Sequence, residues 1–241
     1  MAQVGNFAQA NKWNTQAHSF VSGTLAQVAQ PVLVSIQGEK QREQRIFRKM
    51  MRFAAFMSFP VMLGLALVAR EFIVLTITEK WLQSVPLMQM LCVAGAFMPF
   101  YTLYQNLAVS SGRSDIYLWV NLAQILTQIG VVLLLASEGM MAVVAAYAVL
   151  CVVWLLVWQY FAHRLIGVRL LSIAKDTMPF LLAAVGSMVF TAWATAAIET
   201  LWLLLGCRIV MATVVYIIAV KLLAPEMLNE CINFMRRRKQ D

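Results

Sequence analysis

Residues 140–162 read MMAVVAAYAVLCVVWLLVWQYFA, 23 positions without a charged side chain. A helix crossing the hydrocarbon core of a bilayer needs about 20 consecutive apolar residues, so this run is long enough to span. Working outward from it, six further apolar stretches are bounded by charge or turn residues: Trp13–Ile36, Phe53–Ala69, Pro86–Ser110, Ile116–Ala136, Met178–Ile198 and Trp202–Leu223. The first is the least hydrophobic and the second is at the short limit. Backbone polar groups in lipid must be satisfied within the segment, and no stretch shows the alternation of a barrel strand, so all are predicted to be helices. The fold class is therefore all-α: a polytopic transmembrane helix bundle of about seven spans over residues 1–225, with a basic cytoplasmic tail at 226–241.

Composition agrees with that reading. Of 241 residues, 61% are hydrophobic and 12% charged, where soluble domains carry about 25% charged residues, and the mean hydropathy is +0.74. The net charge of +8 does not point to nucleic acid, because most basic residues sit in short connections between apolar runs rather than on a folded basic face. The cysteines Cys92, Cys151, Cys207 and Cys231 are too widely spaced for a metal site or a disulfide framework and read as small packing residues. No metal ligand set and no cofactor motif is visible.

If alternate connections share a side, one side collects 15 of the 19 Lys and Arg, and the other receives Lys12, Arg70, Lys80 and Arg208. The positive-inside rule then places the Lys40–Arg52 loop and the C-terminus in the cytoplasm and the N-terminus outside. The first 14 residues lack the apolar core of a signal peptide. An exterior start without a signal is the expectation for part of a longer chain, in which preceding spans deliver Met1 to the outer face.

Charges inside the bilayer are costly and are functional candidates by default. Arg70 follows the second span next to Glu71, and is read either as an interfacial anchor paired locally with Glu71 or as a cavity residue. Arg208, about six residues into the seventh span, is within snorkelling reach of the outer surface. The sharper signal is uncharged. Gln16, Ser19, Gly23, Gln27 and Gln30 fall within a sector of roughly 80° on one helix. Asn121, Gln124 and Gln128 cluster within about 60° on the fourth span, and the third span adds Gln105 and Asn106. Amides that bond between helices explain such residues, and so does a hydrated cavity suited to sugars. Catalysis finds little support: His18 and His163 have no carboxylate near mid-membrane to pair with, and Ser22-Gly23 and Ser111-Gly112 are not on the strand-to-helix turn a nucleophile elbow needs.

The run Gly5-Asn6-Phe7-Ala8-Gln9-Ala10, then Val28-Ala29-Gln30-Pro31-Val32-Leu33 and the charged loop, Phe59-Pro60, Glu79-Lys80-Trp81 and Ser111-Gly112-Arg113-Ser114-Asp115 occur in an order and spacing that resemble the polysaccharide transporter family. These are Wzx-like oligosaccharide flippases of the multidrug/oligosaccharidyl-lipid/polysaccharide exporter superfamily. The similarity spreads over about residues 5–135, and the last three spans match only in hydropathy.

The resemblance implies a MATE-like C-terminal bundle, corresponding to helices eight to fourteen of a fourteen-helix member. It implies flipping or export of a lipid-linked oligosaccharide by alternating access, for lipopolysaccharide, O-antigen or exopolysaccharide synthesis, in a bacterial inner membrane. Its partners would be the lipid bilayer, a polyprenyl-linked oligosaccharide, the N-terminal bundle of the same transporter and polysaccharide polymerase machinery, with no nucleic acid. The substrate-cavity candidates are Gln16, Gln27, Gln30, Arg70, Asn106, Asn121, Gln124 and Gln128. Competing readings are a drug or ion antiporter half, which calls for an intramembrane carboxylate, a membrane-embedded enzyme, and a seven-helix photoreceptor. The last needs a mid-membrane lysine, and Lys221 sits at the cytoplasmic end of its span.

Overall fold

The computed structural model describes residues 2–223, with side chains from Val4 onward. The expected basic tail at 226–241 and Cys231 lie outside the described residues. The chain forms helices α1 (Ala2–Ser35), α2 (Lys40–Leu67), α3 (Ala69–Thr76), α4 (Val85–Gly95), α5 (Met98–Ser110), α6 (Ser114–Leu135), α7 (Met140–Ile166), α8 (Leu170–Ala194) and α9 (Leu201–Leu223), with a short 3₁₀ turn over Glu79–Ser84 between α3 and α4. Six segments among the described residues are long and apolar enough to cross a membrane: α2, the Glu79–Ser110 unit, and α6 to α9.

Two elements depart from the seven-span expectation. The first is α1, which begins well before Trp13 and runs for 34 residues. It is long enough to span but is not one of the six apolar segments, because amides and small residues occupy one of its faces. It is nevertheless an integral member of the bundle, packed along α5, α4 and α2.

The second departure is the expected third span, which is broken into α4 and α5 at Ala96 and Phe97. Pro99 sits in the first turn of α5, where its missing N–H removes the bond that would continue the ladder to Gly95. The broken backbone is repaired from α2: the Ser58 hydroxyl donates to the Ala96 carbonyl at 2.7 Å. Phe59, Phe97 and Phe100 pack around the break with ring centroids 5.6–6.3 Å apart. Gly95 is required there by space. A Cβ on it would lie 2.3 Å from Asn14 Oδ1 and 2.5 Å from Met62 Cε, so α1, α2 and α4 meet at that point.

Helix ends follow local chemistry. Before α2 the chain turns at Gly38, whose φ is +96° and whose N–H donates to Glu43 Oε1 at 2.8 Å. This explains a carboxylate buried in the first turn of an otherwise basic segment. α7 ends at Gly167 in the left-handed conformation, with its N–H bonded to His163 O at 2.8 Å, the common glycine stop. Pro31, Pro60 and Pro179 are accommodated within α1, α2 and α8.

The centre of the bundle is α2, which packs on α8, α1, α4, α5, α7 and α9. Its buried line Phe47, Met51, Ala54, Ala55, Ser58, Phe59 and Met62 is the spine of the core. α6 lies at the edge, touching α7 and α5, and only Ile116 and Val120 of its 22 residues are buried.

Candidate functional site

The buried line of α1 includes Ala10, Asn14, Val21, Leu25, Ala29 and Leu33, spaced at four or seven residues as a single inward face requires. On the opposite side Gln16, Ser19, Gly23, Gln27 and Gln30 are all exposed. Gln16, Gln27 and Gln30 make no hydrogen bond to any described residue, and a Cβ on Gly23 would meet nothing within 4 Å. This stripe is therefore an open face rather than a seam between the described helices, with Phe20 and Val34 exposed beside its amides. On the packed side of the same helix, His18 Nδ1 and Ser22 Oγ are enclosed with no hydrogen-bond partner among the described residues.

The amides of α6 are placed differently. They lie on its packed side: Asn121, Gln124 and Gln128 are half-buried. Asn121 Nδ2 donates to Tyr117 O at 2.7 Å, and Asn121 Oδ1 accepts from Gln105 Nε2 of α5 at 3.1 Å. Gln124 Oε1 and Asn106 Nδ2 are buried with no hydrogen-bond partner among the described residues. The structure thus joins Gln105 to Asn121 and leaves the α1 stripe apart from the α6 cluster, with α5 packed against both helices.

The local pairing considered for Arg70 is not found. Glu71 instead bridges to Arg208 of α9 at 2.9 Å, with side-chain exposures of 4% for Glu71 and 17% for Arg208. Arg208 also donates to Thr195 Oγ1 at 3.2 Å and to Leu67 O at 3.4 Å. Helix geometry explains the correction. Consecutive residues point about 100° apart, so Glu71 turns into the α3–α9 contact while Arg70 remains exposed and makes no ion pair with a described residue. The sequence did carry a signal for this bridge, since the apolar spans that precede Glu71 and contain Arg208 bring both residues to the same end of the bundle, opposite the Lys40–Arg52 loop. At the opposite, basic end Arg48 of α2 pairs with Asp176 of α8 at 2.6 Å, and Tyr104 donates to Gln159, which donates to Val168 O. Neither contact is readable from spacing.

Among the described residues no cluster of His, Cys, Asp and Glu is arranged to hold a metal ion. What the arrangement offers is a polar face of neutral amides that presents exchangeable hydrogen bonds, flanked by apolar helices.

Residues 1–86 match the family model described as polysaccharide biosynthesis protein. The chain is 32% identical over 108 residues to an uncharacterized membrane protein in the cps region of Klebsiella pneumoniae, covering 45% of this chain. It is 25% identical over 173 residues to the teichuronic acid biosynthesis protein TuaB of Bacillus subtilis, covering 70% of this chain. To the lipopolysaccharide biosynthesis protein WzxC of Escherichia coli it is 29% identical over 92 residues, covering 38%. The likeness is thus to polysaccharide biosynthesis proteins, and the family model matches the first 86 residues. Its fold is that of the lipid II flippase MurJ in an inward closed conformation, with a TM-score of 0.72 over 94% of this chain at 12% identity. The chain spans less than half the length of each of these proteins: 22%, 36% and 19% of the three relatives and 48% of the flippase.

Proposed function

We propose that this chain is one helical bundle of an inner-membrane flippase that moves a polyprenyl-linked oligosaccharide for surface polysaccharide synthesis. The α1 stripe would form part of the translocation cavity. The observation that carries the reading is the outward, unpartnered row Gln16, Ser19, Gly23, Gln27 and Gln30 on a helix embedded among apolar ones. Lipid is a poor solvent for such a face, because each unsatisfied polar group in hydrocarbon costs several kcal/mol. The row therefore needs water or a second polar wall opposite it. A second bundle facing α1 supplies that wall, and the space between the two admits a hydrated sugar head group.

Neutral amides suit that task, since they offer hydrogen bonds to hydroxyls without gripping any one sugar. The relatives' names, which refer to teichuronic acid and lipopolysaccharide biosynthesis, support a cell-surface glycan as cargo. Alternating access then requires both bundles to rock against each other around the polar wall. The basic end, with the Lys40–Arg52 loop, faces the cytoplasm in this reading. A drug or ion antiporter half is less well supported, because Glu71, buried in the contact between α3 and α9, is held in an ion pair.

The test is made in a transporter carrying both bundles. Replacing Gln16 and Gln27 together by leucine is expected to abolish surface polysaccharide while the amount of detergent-stable, folded protein stays unchanged. An unaltered ratio of polysaccharide to folded protein would sink the cavity reading.

A further inference from the structure

Arg52 is the last charged residue of α2 before the 15 uncharged positions Phe53–Leu67, so it stands where the helix passes into the apolar layer. Arg48, Arg52 and Phe56 follow one another at four-residue intervals and share a ridge of α2. The two outer members of that ridge both touch α8: Arg48 bridges to Asp176, and Phe56 packs edge-on against Phe180 with ring centroids 6.1 Å apart. Arg52 is thereby fixed in the α2–α8 crevice, one turn deeper than the Arg48–Asp176 bridge. It is half-buried, its Nε is enclosed without a hydrogen-bond partner, and it makes no ion pair with any described residue. Asp176, the carboxylate within reach of this ridge, is already committed to Arg48.

A third helix closes the crevice. Phe56 also meets Tyr216 of α9, whose hydroxyl donates to Phe56 O at 2.9 Å. Tyr216 therefore lies at the level of Phe180, and Lys221, in the last turn of α9, lies beyond it towards the basic end. Lys175 on α8 and Lys221 are both exposed there. The result is a half-buried guanidinium at the hydrocarbon boundary, with the exposed ammonium groups of Lys175 and Lys221 towards the same end and Asp176 already paired with Arg48.

The geometry points to a phosphate-binding site for an anionic phospholipid of the inner leaflet, with its head group on Arg52 and its acyl chains along α8 and α9. A guanidinium presents a planar fork that matches two phosphate oxygens, and an unpaired charge at this depth is costly until an anion meets it. Basic crevices between helices on the cytoplasmic side are suited to anionic head groups. A bilayer lipid fits better than a translocating one because of where the crevice lies. α1, which carries the polar stripe, packs on α5, α4 and α2, whereas the crevice is formed by α2 with α8 and α9. The inference does not rest on the flippase reading, and its test involves no transport.

The full chain, purified in detergent, is titrated with phosphatidylglycerol or phosphatidylcholine, and bound lipid is counted by native mass spectrometry. Phosphatidylglycerol is expected to bind saturably and in preference to phosphatidylcholine. Arg52→Gln should reduce that preference about fivefold to tenfold, the scale of one interfacial cation. Arg52→Lys should keep part of it, and Arg113→Gln, a charge removed at the α5–α6 turn, should leave it intact. Equal binding of the two lipids to the unaltered protein overturns the proposal without recourse to any variant, and so does full selectivity in Arg52→Gln. Displacement of phosphatidylglycerol by a polyprenyl pyrophosphate at equal concentration also overturns it, by showing that the phosphate belongs to a carrier lipid.

Discussion

α1 and α6 both turn one face away from the other described helices, and the two faces differ in chemistry. α6 shows Leu118, Trp119, Leu122, Ile125, Leu126, Ile129 and Leu133 and keeps its amides on the packed side, while α1 shows its amides, with Phe20, Val28 and Val34 exposed among them. An apolar face left uncovered is what lipid solvates, so α6 is complete as it stands. An amide face left uncovered in the same layer is solvated only by water or by another polar surface. Exposure alone therefore says little about a membrane helix, and its meaning comes from the chemistry of what is exposed.

The contrast is broken most forcefully by a charge. Leu126→Arg places a cation near the middle of the lipid-facing side of α6, where the insertion cost is about 2.5–3.5 kcal/mol, and the yield of folded protein should collapse. Gln27→Arg puts the same charge on the open wall of α1 and should leave that yield nearly normal. Quantifying both by size-exclusion fluorescence decides the matter, and equal losses would mean that lipid covers the α1 stripe. A smaller change probes the buried side of α1. Gly95→Ala drives a methyl towards Asn14 Oδ1 and Met62 Cε, and because the methionine can give way while the α1–α4 contact cannot, a loss of about 1–3 kcal/mol is expected. Gly23→Ala on the open face meets nothing and should be neutral or slightly stabilising by helix propensity. The pair is compared by thermal unfolding in detergent.

The helices themselves were largely legible, because runs such as Met140–Ala162 admit one solution in lipid. The polar stripe of α1 was legible too, since periodicity alone gathers Gln16, Gln27 and Gln30 on one side. Which way that side faces was not, because a helical wheel gives the angle between residues and not the position of neighbouring helices. The break at Ala96 was hidden for a related reason. Pro99 marked a local weakness, but the hydroxyl that compensates for it comes from Ser58, 38 residues away. The partner of Glu71 was obscured by a nearer candidate: Arg70 is adjacent in sequence, whereas Arg208 is adjacent in space. Long-range pairing of single charges leaves no periodic trace.

The finest distinction is among the amides. Asn121 is bonded to Tyr117 O and to Gln105, so Asn121→Leu removes two bonds, each worth about 0.6 kcal/mol in a membrane bundle. It should lower stability by roughly that amount to twice that amount. Gln124 differs, because its Oε1 is buried without a partner. An enclosed acceptor that bonds to nothing is a cost to the fold, and replacing it by an apolar group of similar shape is close to neutral or stabilising. Gln124→Leu is therefore expected to raise stability slightly. Gln27 has no partner among the described residues to lose, and Gln27→Leu should leave unfolding in detergent unchanged. The order Asn121→Leu, Gln27→Leu, Gln124→Leu, from least to most stable, is read from unfolding midpoints of the three variants. A destabilised Gln27→Leu would show that the amide is bonded in the folded bundle, and the polar wall of α1 would then be a seam between helices like that of α6.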